Sequence, residues 1–218
     1  MANTNPCAST ALYESLAHCK GSTVLPGLRN HIFFLPKSDI VKFPTPPKTV
    51  PSGGSMGDLA TITEDFVLKA DVKWKKIDIV TSASNVNSES QGEAPSKTFN
   101  NTGAFRYPGN NAEAAAFSAQ ANADDIVYLW PQRDGQYRVL GNPMFETNTT
   151  PAQESGSAET DASGTTINVA VTDTMPSPFY TGKIETEDGD ISGADGSPIA
   201  AEDGDISGAD GSPIAAGG

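Results

Sequence analysis

The stretch NNAEAAAFSAQANADDIVYLWPQRDGQYRVL, residues 110–140, decides the fold class of this 218-residue chain. Its first half predicts an α-helix over about 111–121, because an Asn cap precedes Glu113, an acidic residue that favours the helix dipole in the first turn. Six alanines in that segment add helix propensity. Their small side chains suit a helix that lies close against a sheet.

The second half of the stretch predicts a β-hairpin. Two apolar strands, 126–130 and 137–140, flank a loop that contains Asp134-Gly135, a strong turn dipeptide. Elsewhere, residues 146–164 are rich in Thr, Ser, Glu and Gly, and they predict a loop. Further strands are predicted at 31–36, 66–70, 72–80, 97–107 and 165–172, with a short one around 89–93.

The order of strands, one central helix and more strands indicates a mainly β chain. It predicts a β-sandwich or barrel with one packed α-helix rather than βαβ repeats. One strand has an irregular pattern, because Val72 and Trp74 occupy one phase of the alternation whereas Ile77 and Ile79 occupy the other. A bulge near 75–76 is the simplest prediction from that slip.

The regions outside the central strands predict a short helix, an extended loop and terminal arms. Leu12, Leu16 and Cys19 are at helical spacing, so a short amphipathic helix is predicted over 8–20. Residues 43–57 contain four prolines and three glycines and predict a long extended loop.

Three regions follow from this organisation: an N-terminal extension at 1–24, a β domain at 25–184 and an acidic C-terminal arm at 185–218. The arm contains the sequence EDGDISGADGSPIAA twice without a change, at 187–201 and at 202–216. Two copies are too few for a solenoid, so the identity favours a recent duplication.

The charge of the chain excludes some classes of partner. The formal net charge is −13, from 14 basic and 27 acidic residues, and residues 184–218 carry −9 of it without a Lys or Arg. An acidic balance argues against a general nucleic-acid binder. No run of about 18 apolar residues occurs, so no membrane span is expected. The first residues lack the pattern of a secretory signal.

Four lysines lie on or beside the predicted strands 66–70 and 72–80. They indicate a solvated face that blocks edge pairing rather than a phosphate-binding patch. These residues are Lys69, Lys73, Lys75 and Lys76.

Catalytic motifs are weak in this sequence. Residues 53–57 match the Gly-x-Ser-x-Gly elbow around Ser55, but both histidines precede it and a Pro-rich loop replaces the strand that the elbow needs. A Cys19–His18 dyad is disfavoured, because adjacent residues of a helix do not face each other. Asp124-Asp125 indicates capping and a turn rather than an acid/base pair. We therefore assign no catalytic or cofactor-binding residue, and we expect that the chain is not an enzyme.

No metal ligand or cofactor is assigned either. The cysteines, Cys7 and Cys19, favour two reduced thiols over a disulfide, and His18 and His31 fit no zinc pattern. The repeat has an oxygen-rich spacing that calcium sites share, but the EF-hand core is absent and a plain acidic arm is favoured. The aspartates concerned are Asp188, Asp190 and Asp195, mirrored by Asp203, Asp205 and Asp210.

The stretch FRYPGNNAEAAAFSAQANADDIVYLWPQRDGQYRVLGN, residues 105–142, resembles the central part of the tail tube (major tail) proteins of tailed bacteriophages. In that family a strand ends in a Pro-Gly turn, an Ala-rich helix packs on the sheet, and an apolar strand returns through a charged hairpin. Residues 61–93, a strand pair and a polar stretch that ends Ser-Gln-Gly-Glu, fit the same pattern. The resemblance covers about 25–184.

The resemblance implies a non-catalytic structural protein of the virion. Subunits of this family assemble as hexameric rings that stack into a hollow tube, which guides DNA from the capsid to the host cell during ejection. The implied location is the virion tail, assembled in the bacterial host cytoplasm, and the implied partners are further copies of the chain, other tail proteins and DNA in passage. An acidic protein suits such a conduit, because like charges repel the phosphates.

Two other classes stay open. Another virion component, such as a capsid-decorating or head–tail connector protein, shares this composition. A cell-surface β-sandwich binding module requires export and clustered exposed aromatic residues, whereas Trp74 and Trp130 occupy strand phases that predict burial.

Overall fold

The chain is mainly β, as the sequence predicts. The computed structural model describes residues 13–158 and 162–199. This part contains one α-helix, α1 (Ala112–Ala121), and short 3₁₀ turns at Lys37–Asp39, Met56–Ala60 and Thr81–Ala83. The strands are β1 (His31–Pro36), β2 (Ile40–Lys42), β3 (Thr61–Ile62), β4 (Val67–Leu68), β5 (Lys75–Asp78), β6 (Asn85–Gln91), β7 (Thr98–Tyr107), β8 (Ile126–Pro131), β9 (Tyr137–Leu140), β10 (Asn148–Glu154), β11 (Gly164–Asp173), β12 (Phe179–Tyr180), β13 (Lys183–Thr186) and β14 (Gly189–Ser192).

Two sheets pack on each other as a sandwich-like pair. The larger has six strands in the order β3-β12-β9-β8-β1-β5, and the smaller has four strands in the order β10-β11-β7-β6. Two further pairs, β13-β14 and β2-β4, lie beside them. Among the described strands no barrel closes, so of the two predicted architectures the sandwich is the one observed.

The first core lies between the two sheets. Phe105 of β7 and Trp130 of β8 are fully buried and meet edge to face, with ring centroids 5.5 Å apart. Gly103 allows this close approach, because a Cβ at that position would lie 2.7 Å from Cζ2 of Trp130. Phe117 of α1 packs on the same core against Phe34, with ring centroids 5.1 Å apart. The helix therefore packs on the sheet, as its small side chains predict.

The second core covers the opposite face of the six-stranded sheet. Phe66 packs against Trp74 and Tyr180, with ring centroids 5.2 and 5.1 Å away. Ile184 of β13 is fully buried in the same cluster. Both faces of the sheet are therefore covered at its centre, and every residue of β8 is buried.

The bulge predicted near 75–76 is wrong. The β1–β5 register runs without a shift over its four residue pairs. Trp74 belongs to the second core, whereas Ile77 and Ile79 pack in the first. The two phases of the alternation therefore reflect a sheet with two buried faces, and not a register slip.

The predicted helix and hairpin are confirmed. Asn111 caps α1, because its Oδ1 accepts a hydrogen bond of 2.9 Å from the backbone N of Ala114. Strands β8 and β9 pair antiparallel across the predicted turn. Gly135 in that turn has a φ of +105°, a value that L side chains rarely adopt.

The predicted N-terminal helix is wrong where it can be compared with the structure. Residues 13–20 form no helix, and residues 8–12 lie outside the described residues. Tyr13 and Leu16 are 93% and 88% exposed, so this segment has no apolar surface to pack against. A helix of this length is marginal in water unless tertiary packing stabilises it.

Two strand pairings were not predicted. Strand β10 lies inside the segment predicted as a loop, and it pairs with β11 along all seven of its residues. The β13–β14 hairpin spans the boundary predicted at 184/185, so the first copy of the repeat continues the fold instead of starting a free arm. The second copy, 202–216, lies outside the described residues.

The close contact at Gly103 yields a test of the first core. We expect Gly103→Ala to lower the free energy of unfolding by about 1–3 kcal/mol, because the added methyl group overlaps the Trp130 ring and Leu140. Urea unfolding followed by tryptophan fluorescence measures the change. Ala104→Ser, one residue along on the opposite face of β7, is the control, and equal effects of the two variants would contradict this description of the core.

Candidate assembly surface

Ser55 is part of a turn rather than a nucleophile elbow. Its backbone N donates a 2.7 Å hydrogen bond to Oδ2 of Asp58 at the start of the Met56–Ala60 turn. The histidine at position 31 is in β1 and is bonded to other residues. His31 therefore does not serve as the base that the hydrolase motif at 53–57 would need.

Asp125 has a structural role between α1 and β8. Its Oδ2 accepts a 2.7 Å charged hydrogen bond from Nζ of Lys37, and its Oδ1 accepts one of 2.9 Å from the backbone N of Thr147. The carboxylate thus joins three segments of the chain. These contacts are long-range and tie separate segments together, which differs from the predicted capping and turn role.

The aspartates of the first repeat have separate partners. Oδ2 of Asp190 lies 3.4 Å from Nζ of Lys183, and Oδ1 of Asp195 accepts hydrogen bonds from Ser197. Within 13–158 and 162–199, no three His, Cys, Asp or Glu side chains group in a way that could hold a metal ion. Asp203, Asp205 and Asp210 lie outside the described residues. Cys19 is exposed, and Cys7 also lies outside the described part.

His31 is a partly buried titratable group at the start of β1, and no sequence motif marks it. Its Nε2 lies 3.3 Å from the Tyr137 hydroxyl, and its Nδ1 lies 3.2 Å from Oδ1 of Asn30. Burial lowers the pKa of the imidazole, and the charges of Lys76 and Arg29 lower it further. Burial also raises the pKa of Tyr137 to about 12. Both groups are therefore neutral near pH 7 and act as a packed pair.

The four-stranded sheet turns a polar and almost uncharged face away from the core. Odd-numbered residues of β7 and β11, such as Phe105 and Ile167, are buried, so the even-numbered residues point outward, and the register extends this alternation to β6 and β10. We call the outward side chains the polar face. It consists of Asn148, Thr150, Ala152 and Glu154 of β10; Thr166, Asn168, Ala170 and Thr172 of β11; Thr98, Asn100, Thr102, Ala104 and Arg106 of β7; and Asn85, Asn87, Glu89 and Gln91 of β6.

Charge on the polar face is low and partly paired. Nη2 of Arg106 lies 3.7 Å from Oε2 of Glu154, and Glu89 is the remaining charged member. None of the face residues defined above is a lysine. Gln91 Nε2 donates hydrogen bonds to the hydroxyls of Thr98 and Thr172, at 3.2 and 3.4 Å. The face therefore offers small hydrogen-bonding groups and no free cation.

The two edges of the same sheet are long and open. Strands β6 and β10 have seven residues each, and neither pairs on its outer side with another described strand. Helix α1 lies on the inner side of the sheet, because Ala114 and Phe117 line one cavity with the inward-facing Thr165 and Ile167. Unpaired N–H and C=O groups along such edges are templates for pairing with another chain. On β10 this row lacks one donor, because Pro151 has no N–H.

Unlike these two edges, the edges of the six-stranded sheet are protected against pairing with another chain. Strand β3 has two residues, and β5 carries the exposed Lys75 and Lys76, as predicted for an edge that resists pairing. Next to β5, Trp74 bridges to Thr186 of β13. Among the described strands of the two large sheets, the long open edges are therefore those of β6 and β10.

The sequence does not predict this surface directly, because strands are recognised from their buried apolar positions and not from the polar positions between them. The polar phase carries a signal of its own. Short uncharged side chains recur at every second position in β11 and, apart from Arg106, in β7, and polar side chains recur in the same way in β6. Strand β10 has too few apolar residues to be recognised without its partner.

Comparison with family models, with curated proteins and with solved structures finds no match for this chain. In the described part, no helix has the length and apolar character that crossing a membrane would need.

The surroundings of His31 give a test by pH. The fold lowers the pKa of His31, so the folded chain binds a proton at this imidazole less readily than the unfolded chain does. Above the ordinary pKa of about 6.5 the imidazole is neutral in both states, and the folded state keeps its full stability. As the pH falls below 6.5, the unfolded chain binds the proton first and the stability decreases. We expect the urea midpoint of the wild-type chain to decrease as the pH is lowered from 7.5 to 5.5. The midpoint of His31→Gln should decrease less steeply over the same range. His18→Gln, at an exposed position, is the control and should keep the wild-type slope. An unchanged slope in His31→Gln would contradict the burial effect.

Proposed function

We propose that this chain is a structural subunit of a bacteriophage tail, in which copies join through β6 and β10 into rings and the rings stack into a hollow tube. The observation that carries the proposal is one sheet with two long open edges on opposite sides. In this proposal the chain is not an enzyme and needs no cofactor.

The number of strands makes a head-to-tail junction regular. All neighbours in the four-stranded sheet are antiparallel, so with an even number of strands β6 and β10 run in opposite directions. When β6 of one copy meets β10 of the next copy in the same orientation, the new pair is also antiparallel. A heterologous contact of this kind closes into a ring if the rotation per copy permits it.

The polar face supports a conduit for DNA. In a ring joined through these edges, the polar faces of all copies form one continuous surface. A surface without free lysines or arginines offers phosphates no strong counterion, so a nucleic acid in contact with it can slide. The paired Arg106 is partly neutralised by Glu154.

The resemblance of 105–142 and 61–93 to tail tube proteins supports the same function. It adds to the proposal a six-fold ring, other tail proteins as partners and a place in the virion tail. A different virion component would use the same edges without forming long tubes. For a surface binding module, Trp74 and Trp130 are unsuitable as ligand contacts, because they are 1% and 0% exposed.

The direct test is electron microscopy of the purified full-length chain at high concentration. We expect hollow tubes of stacked rings. Isolated closed rings would favour a connector or decoration protein, and a monomer at all concentrations would overturn assembly through the sheet edges.

Charge substitutions on the two open edges test the junction itself. Asn87 of β6 and Thr150 of β10 both belong to the polar face near the middle of their strands. We expect Asn87→Lys with Thr150→Lys to block ring formation, because two added positive charges then lie on the same face of the two adjoining edge strands at every junction. The matched variant, Asn87→Lys with Thr150→Glu, alters the same positions and should still assemble. Sedimentation velocity measures both, and equal behaviour of the two variants would place the junction elsewhere.

A further inference from the structure

The first copy of the C-terminal repeat is a peptide docked on the body of the protein. Strand β14 pairs with β13 over four residue pairs. Beyond that strand, the backbone N of Gly193 donates a 2.8 Å hydrogen bond to the carbonyl of Gly182, and the backbone N of Tyr137 donates one of 3.3 Å to the carbonyl of Gly193. The repeat is thus held by the chain before it and by β9.

The surface that receives the peptide selects glycine at two positions. A Cβ at Gly193 would lie 2.6 Å from Cδ1 of Tyr180 and 2.8 Å from two backbone carbonyls, which cannot move aside easily. Gly196 has a φ of +74°, and a Cβ there would lie 2.7 Å from Nη1 of Arg29. We call β13, Gly182, Tyr180, Tyr137 and Arg29 the repeat-docking surface.

Further contacts fix the shape of the peptide. Asp190 lies 3.4 Å from the ammonium of Lys183. The backbone N of Ser192 donates a 2.8 Å hydrogen bond to the carbonyl of Ser197, and the backbone N of Ile199 donates one of 2.8 Å to the carbonyl of Asp190. Residues 189–199 therefore dock as one compact turn whose sequence matches the surface.

The second copy carries the same sequence, and every residue of 189–199 has its identical counterpart in 204–214. We propose that the repeat-docking surface binds either copy of the repeat, so that the second copy occupies it within the same chain when the first is displaced. The occupant is the same chain because the two copies are adjacent and the effective concentration of the second is high.

Loop length sets the preference between the copies. The turn between β13 and β14 contains residues 187–188, and the loop that would precede the second copy contains 187–203. Loop closure becomes less favourable as the loop lengthens, so the second copy should dock less strongly than the first. The first copy therefore fills the surface in the wild-type chain.

Three full-length variants test this proposal: Gly193→Val, Gly208→Val and both together. Valine at 193 prevents the first copy from docking, and valine at 208 prevents the second copy from docking. Each substitution also changes the mass of the peptide that contains it, so the two otherwise identical copies can be distinguished. Hydrogen–deuterium exchange read by mass spectrometry then reports each copy separately. Amides of β8 report whether the fold persists.

We expect Gly208→Val to keep 189–193 protected from exchange. In Gly193→Val, protection should move to 204–208 and be weaker than the protection of 189–193 in the wild-type chain. The urea midpoint should be unchanged in Gly208→Val, lower in Gly193→Val and lowest in the double variant. No protection at 204–208 in Gly193→Val, with β8 still protected, would overturn the proposal. Protection that rises with protein concentration would also overturn it, because docking would then occur between chains.

Discussion

Strand β8 is the constraint on which the rest of the structure depends, because it is buried from both sides along its whole length. Tyr128 and Trp130 pack toward the four-stranded sheet, whereas Val127 and Leu129 pack toward the second core. A strand with this composition cannot lie at a surface without exposing one of its two apolar rows. The chain must therefore supply a cover for each face, and it uses different means on the two sides.

The first cover is itself a sheet, and this choice leaves a large surface outside. Phe105, Ile167 and Val169 fill the gap to β8, and they are fixed at every second position of their strands. The positions between them must point outward, where they carry Asn, Thr and Ala, with Arg106 as the one charged residue of β7 and β11 on that side. Because the sheet ends in β6 and β10 without described partners, the same element that closes the core also presents the open edges.

The sequence predicts the features whose causes are local. Asn111 caps its own helix and Gly135 supplies its own turn, so both are readable from neighbouring residues. Strand β10 is polar, and it forms because β11 pairs with it, a partner that no local pattern specifies. The N-terminal helix failed for the opposite reason, since Leu16 has helical spacing but no surface to cover it. The polar face was missed because it depends on the register of four strands at once.

The second cover explains why the acidic C-terminus does not behave as a simple arm. Ile184 completes the second core, so β13 must be held in place, and β14 pairs along it. Five of the nine acidic residues in 184–218 fall within this described region. Glu185 and Asp190 lie beside Lys183, at 2.7 and 3.4 Å from its ammonium. Part of the charge that composition assigns to a tail is therefore fixed on the body, at a site that packing of the second core determines.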